Sequence, residues 1–449
     1  MRVHVWQQFQ SVGHGTFFTG NIRDSSGASF SWAYDCGSKR PTRVSEAIAS
    51  LDYTQDWPSD HDLDMVVVSH FDDDHINGLE TLLTQHRVKS LVLPFLGVQA
   101  RLAQVFTAQD GESISASMAA FAMDPIKYLG GRGLLNRIDS ILMIRGGAID
   151  GAVDEGDALP LNPQREGPAN LTPDEIPPDA LEYPVGYFDT PKEGNPRVKV
   201  LSHRNPVRAL RGLPFEFVFY NTALPGGLAK RSGLPISVVQ TEVDVIFRTY
   251  RIQDPVRKPR TGWRDSLRLC YDKHFGKLGN ERNNISLCVL ARPLVDAGAY
   301  PRCASSVYSW PSDNFWQLFD RDRPRHPYWS LYLGFAIDAY STRQSNRQAL
   351  LLTGDLALGS TELKAMKAHF GLRRWTEIGL TQVPHHGSQH SWKTGNAGHF
   401  GASRFVQCVP TFSKHNDHPH PIVVADLGRP RAFVADYENS VVHHFCFNV

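Results

Sequence analysis

The segment Ser69-His70-Phe71-Asp72-Asp73-Asp74-His75 gathers imidazoles and carboxylates directly behind an apolar run, Met65-Val66-Val67-Val68. His70, Asp72 and Asp74 stand two positions apart, so an extended loop turns their side chains the same way. His75 follows Asp74 immediately and must turn differently. One short loop with that spacing can feed ligands to two adjacent metal ions. The tip of a buried strand has no packing use for so many ionisable groups, and desolvating the carboxylates without a cation would be costly. The bland alternative is a solvated acidic loop with incidental histidines. It fits poorly, because such groups rarely follow a buried strand unpaired.

Two later segments share this form. Leu350-Leu351-Leu352-Thr353-Gly354-Asp355 is an apolar strand ending in a carboxylate well placed to bridge two cations, and Val383-Pro384-His385-His386-Gly387-Ser388 is another strand end presenting imidazoles. Alone, the first reads as a turn and the second as a surface or core pair. Together, at successive strand ends, the three segments read as one site. Two adjacent dications lower the pKa of a bridging water toward neutrality, polarise the group attacked and neutralise charge on the leaving oxygen. With Asp72, Asp74 and Asp355 among the ligands the site is hard, which favours Mn2+ while remaining compatible with Zn2+. The expected cofactor is therefore a pair of divalent ions, Zn2+ or Mn2+. A hard, paired site suits phosphate esters.

The elements needed to position these residues are legible around them. Val3–Trp6 alternates like a strand, Thr16–Ile22 and Phe30–Tyr34 read as a hairpin pair, and Asp64–Ser69 and Val88–Leu93 read as buried strands. Between the last two, Ile76, Leu79, Leu82 and Leu83 recur at helical spacing, which makes a βαβ unit with its site at the carboxyl end of the first strand. Arg101–Met143 shows helical stretches broken by Gly130-Gly131-Arg132-Gly133, and 148–179 is rich in proline, glycine and acids, as in a linker. Sheet pattern resumes at Phe215–Tyr220 and Val238–Arg248, then at Ile285–Leu290, Ala349–Thr353, Ile378–Val383, Phe405–Val409 and Val441–Phe447. Residues 97–200 and 292–335 are expected as two insertions in a single unit spanning 1–449.

At this point the chain resembles the metallo-β-lactamase superfamily, and more closely the metallo-β-lactamase-like domain of bacterial competence (DNA-uptake) proteins. The matching pieces are Val12-Gly13-His14-Gly15 (with His14 where the family usually has Gln), Asp35-Cys36-Gly37, Ser69-His70-x-Asp72-x-Asp74-His75-x-x-Gly78, Asn284-x-Ser286, Leu352-Thr353-Gly354-Asp355, Pro384-His385-His386-Gly387-Ser388 and His418-Pro419. They cover roughly half the chain, and an Asp at position 72 is typical of the competence-like branch. The resemblance implies an α/β fold, the αβ/βα four-layer sandwich with two back-to-back sheets. It implies a first metal on His70 and Asp72, a second on Asp74 and His75, Asp355 between them, and His385, in preference to His386, completing the second site. The usual third ligand of the first metal has no match. Asp74 and Asp355 would serve catalysis through the metals, while His418 would contact a scissile phosphate, protonate the leaving group or be structural.

The expected function is a metal-dependent hydrolase, a phosphodiesterase or nuclease acting on nucleic acid or a nucleotide. The rivals are a carboxylic-ester, lactone or thioester hydrolase, and a binding or regulatory protein on the same scaffold. A formal net charge of +1 supplies no whole-molecule attraction to nucleic acid or anionic lipid. A basic stretch holding Arg257, Lys258, Arg260, Arg264 and Arg268 would either line a polyanion path, with Trp263 and Tyr271 stacking bases, or form a solvated surface, the commoner use. Six scattered cysteines without a Cys-x-x-Cys pair read as reduced thiols. With no signal-like or membrane-spanning apolar run, a cytoplasmic location without membrane association is the expectation. The insertions suit a protein partner or a large substrate.

Overall fold

Leu63–Val67 is buried at every position, as a strand covered on both faces must be. The computed structural model describes the chain except residues 52–61, 107–114, 147–158, 161–195, 210–212, 222–231, 253, 255–256, 277–285, 295–305, 312–346, 402, 410–417, 429–430 and 449. Among the described residues Leu63–Val67 lies inside a nine-stranded sheet. Its order is Ser306–Pro311, Asn439–Asn448, Arg2–Phe9, Phe17–Asp24, Ser29–Cys36, Leu63–Val67, Val88–Pro94, Ile138–Arg145 and Arg197–Ser202. Pairing is antiparallel up to Ser29–Cys36 and parallel beyond it.

The second sheet has eight strands, in the order Ala432–Ala435, Arg404–Cys408, Ile378–Gln382, Ala349–Leu352, Leu287–Pro293, Phe215–Asn221, Val207–Arg208 and Leu159–Pro160. The first four run parallel. Parallel strands place all their carboxyl ends on one side, where an α/β fold builds its sites.

Three apolar clusters define the layers. The middle one joins Val67, Trp32 and Tyr34 of the first sheet to Phe217, Val289 and Leu352 of the second. A second packs the outer face of the first sheet against helices Pro41–Ala49, Leu79–Gln85, Ala116–Met123 and Trp263–Phe275. The third packs the other sheet against helices Ser360–Phe370 and Pro421–Leu427. Helix, sheet, sheet, helix is the αβ/βα four-layer sandwich. The helices obey local rules: Pro41 opens the first at a position whose N–H needs no partner, and Val44, Ala47 and Ile48 form its buried stripe.

Several expectations need amendment. Val238–Arg248 is not a strand but part of the helix Ile236–Tyr250. Its β-branched residues mislead, whereas the buried residues Val239, Val243 and Phe247 fall four apart, on one helical face. Ile138–Arg145 and Arg197–Ser202, inside the expected insertion at 97–200, are strands of the first sheet. Most of the linker at 148–179, and the aromatic part of 292–335, lie outside the described residues. Trp263 and Tyr271 are buried in the core, so neither faces a base. Cys446 is disulfide-bonded, while Cys36, Cys270, Cys288 and Cys408 are free and buried. The expectation of reduced thiols therefore does not hold at Cys446. No helix among the described residues is long and apolar enough to cross a membrane.

Candidate metal centre

Five strand ends converge. Ser69 and His70 leave Leu63–Val67, Asp35 closes Ser29–Cys36, Asp355 follows Ala349–Leu352, His385 and His386 follow Ile378–Gln382, and Cys408 closes Arg404–Cys408. Backbone bonds tie these tips together: the Leu287 amide donates to Ser69 O (2.8 Å) and the His385 amide to Gly354 O (3.1 Å). The Asp355 amide donates to Ser286 Oγ at 3.0 Å, so Ser286 serves to hold the aspartate. Gly37 lies where a Cβ would meet the Asp74–His75 peptide at 2.4–2.6 Å; only glycine lets the two segments cross.

The structure brings His70, His75 and Asp355 into one buried group and His14, Asp74 and His386 into another, each with ligand atoms within 4.8 Å of one another. His70 Nε2 is 3.5 Å from both Asp72 Oδ2 and Asp355 Oδ2. His75 Nε2 is 3.2 Å from Asp355 Oδ1, and His386 Nε2 is 3.2 Å from Asp74 Oδ2. His385 Nε2 stands 4.0 Å from Asp355 Oδ2. The partition differs from the one the resemblance implied, since His75 faces Asp355 and it is His386 that faces Asp74. His418 stands at the rim, its ring 5.3 Å from that of His385.

Tautomers decide what these contacts mean. His386 Nδ1 lies 2.6 Å from the Cys408 carbonyl oxygen. A carbonyl only accepts, so Nδ1 carries the proton and a neutral ring presents a bare lone pair at Nε2. His75 repeats the arrangement: its Nδ1 lies 2.7 Å from Asp35 Oδ2, which leaves Nε2 facing Asp355. The Nε2 atoms of His70, His75 and His386 and Oδ1 of Asp355 are buried and make no hydrogen bond. Lone pairs aimed at carboxylates across about 3 Å repel unless a cation sits among them. The residues therefore fit divalent ions, held by imidazole and carboxylate, with carboxylate and carbonyl partners behind the imidazoles.

Electrostatics point the same way. Burial opposes charge on His70, and so does His75, yet Asp355 and Asp72 outweigh both and raise the imidazole to about 9. Burial works against ionised Asp74, but His386, His75 and His14 hold its carboxyl well below the usual range. Asp355 is likewise held low, against burial, by His75, His385 and His70. Without a cation, His70 and His75 take up positive charge beside Asp355, which raises both imidazoles against burial.

Three residues with left-handed backbone mark the site as constrained. Asp35 (φ 54°), His385 (φ 46°) and His386 (φ 52°) occupy the left-handed region, which non-glycine residues adopt at a cost and mostly where surrounding structure enforces it.

Sequence reasoning missed the parts played by Asp35 and His14. Both lie in short glycine-containing segments, Val12–Gly15 and Asp35–Gly37, that lack the dense ionisable neighbourhood of 69–75. A further group, Glu242, Cys270 and His274, is closed by its own bonds: His274 Nε2 and Lys273 Nζ each lie 2.8 Å from Glu242 Oε2.

No family model and no curated protein matches the chain. Among solved structures, a long form RNase Z from yeast is similar with a TM-score of 0.27 and 9% identity, over 84% of this chain and 32% of that one. The chain thus spans about a third of the length of that enzyme.

Proposed function

We propose that this chain is a metal-dependent phosphodiesterase of the metallo-β-lactamase superfamily, acting on nucleic acid or a nucleotide through a centre of two divalent ions, Zn2+ or Mn2+. One observation carries the reading: His75 and His386, each with its Nδ1 proton committed to an acceptor behind it, aim their Nε2 lone pairs at Asp355 and Asp74. His70, Asp72, His75, Asp355 and His385 would hold one ion, and Asp74 and His386 the other. When bound, such ions supply Lewis acidity to a phosphoryl oxygen and a lowered pKa to water.

The chain's own residues supply the rest. Asp35 fixes the His75 ring, and Ser69 links Asp35 to His70 by donating Oγ–H to Oδ2 at 2.7 Å while its oxygen lies 2.8 Å from His70 Nδ1. Exposed Lys39 feels the charges of Asp74 and Asp355 and is suited to meet an anionic phosphate. His418, half-buried at the rim, is suited to orient a leaving group or deliver its proton. Three carboxylates around the centre favour a hard substrate oxygen, as in phosphate, over a thioester or lactone carbonyl.

The test compares bis-p-nitrophenyl phosphate with p-nitrophenyl acetate, and labelled DNA with RNA, with Mn2+ or Zn2+ added. Wild type should cleave the phosphodiesters; Asp74→Ala and Asp355→Ala should lose bound metal and activity while retaining a folded circular-dichroism spectrum. Cleavage of the acetate alone would move the protein to the ester hydrolases.

A further inference from the structure

We propose that His14 is a protein ligand of the ion on the Asp74–His386 side, so that this ion is held by His14, Asp74 and His386. The inference rests on the metal-centre reading above and adds a residue from a loop remote from the other ligands in sequence.

His14 Nε2 lies 3.5 Å from Asp74 Oδ2, the same oxygen that His386 Nε2 approaches at 3.2 Å. The two imidazoles lie with ring centroids 4.4 Å apart, and the three ligand atoms fall within 4.8 Å of one another. His14, Asp74 and His386 are 7%, 5% and 3% exposed. Two imidazole nitrogens and a carboxylate oxygen around one buried point form the three-residue donor set of an open metal site, with a position left for water or substrate.

The loop is built to hold His14 there. The Lys39 amide donates to His14 O (2.8 Å) and the Thr16 amide to Asp74 O (3.1 Å), which locks Gly13–Thr16 against the segment bearing Asp74. At Gly15, φ is +142° and a Cβ would meet Gly37 O, Ser38 Cα and Asp74 O at 2.5–2.7 Å. Backbone packed this closely fixes where the neighbouring imidazole points. A surface histidine has no need of such anchoring.

The experiment is metal binding, not turnover. Purified full-length wild type, His14→Ala and His14→Gln are stripped with chelator, and Zn2+ affinity and stoichiometry are measured by competition with a chromophoric chelator. Zn2+-loaded samples are also compared by X-ray absorption, which counts imidazoles around the metal. Removing a ligand should weaken one of the two ions by more than the roughly 10–100-fold expected for an outer partner, leave the other unchanged, and lower the mean imidazole count. Glutamine, an oxygen donor, should restore affinity in part and leave the count low. Circular dichroism of the metal-free proteins establishes that the variants are folded. If wild type binds two ions and both variants bind them with unchanged affinity and imidazole count, His14 is not a ligand although the metal centre stands. If wild type binds no ion, the metal reading fails, and this inference with it.

Discussion

Asp35 Oδ2 lies 2.7 Å from His75 Nδ1, with both side chains wholly buried. The same carboxylate accepts the Ser69 amide and hydroxyl, each at 2.7 Å, so one aspartate orients His75 directly and His70 through Ser69. Carboxylate partners of this kind fix ring orientation and raise the basicity of a metal-binding imidazole. Asp35→Asn keeps the shape and tolerates the left-handed backbone but removes the charge. Metal affinity should fall by about 10–100-fold, as measured by competitive chelation, with the metal-free protein still folded. Unchanged affinity would show that Asp35 is only structural.

Lys39 tests the substrate's charge. If its ammonium meets a phosphate, Lys39→Ala removes a charge-assisted bond of about 1.5–3 kcal/mol, or roughly 10–150-fold. The loss should fall mainly on KM for bis-p-nitrophenyl phosphate. Metal content and hydrolysis of a neutral ester should be unaffected. Loss confined to kcat would place Lys39 in another role.

A buried ionic network gives a stability test far from any chemistry. Arg374 Nε lies 2.8 Å from Glu216 Oε1, both side chains being 0% exposed, and Arg292 donates to the same oxygen. Glu216→Ala removes the carboxylate that two buried guanidinium groups share, leaving Arg292 its bond to Glu377 at 2.6 Å, and should cost about 3–5 kcal/mol in denaturant unfolding. A cost under about 1 kcal/mol would mean that water reaches the arginines.

Two histidines predict an acid sensitivity. The rings of His203 and His369 lie 4.4 Å apart. Burial, then Arg204, lowers His203 to about 4, and burial, then His203, lowers His369 to about 3. Their folded pKa values lie below the unfolded value of about 6.5, so the unfolded chain binds more protons in acid. Stability from this pair is full above about pH 6.5 and falls as the pH drops toward 4. His369→Asn removes one titrating ring, so its stability should fall less steeply over that window than wild type's. Parallel pH profiles would contradict the assignment.

The strand tips bearing His70, Asp355 and the 385–386 pair were legible because apolar runs ending in ionisable residues are a local signal. Which histidine of the pair faces Asp74 was not, since it depends on the left-handed turn at His385 and His386 and on a carbonyl from Cys408. The helix Ile236–Tyr250 was obscured by its valines, whose strand preference yields to packing. His14 and Asp35 acquire their roles only when distant segments fold together; sequence shows the residues but not the meeting.

The most direct test is the metal content of the purified protein, reconstituted with Mn2+ or Zn2+ and measured by elemental analysis alongside Asp74→Ala and Asp355→Ala. About two divalent ions per wild-type chain, with fewer in each variant, is the predicted result. A folded wild-type protein that binds no divalent ion at all would contradict it.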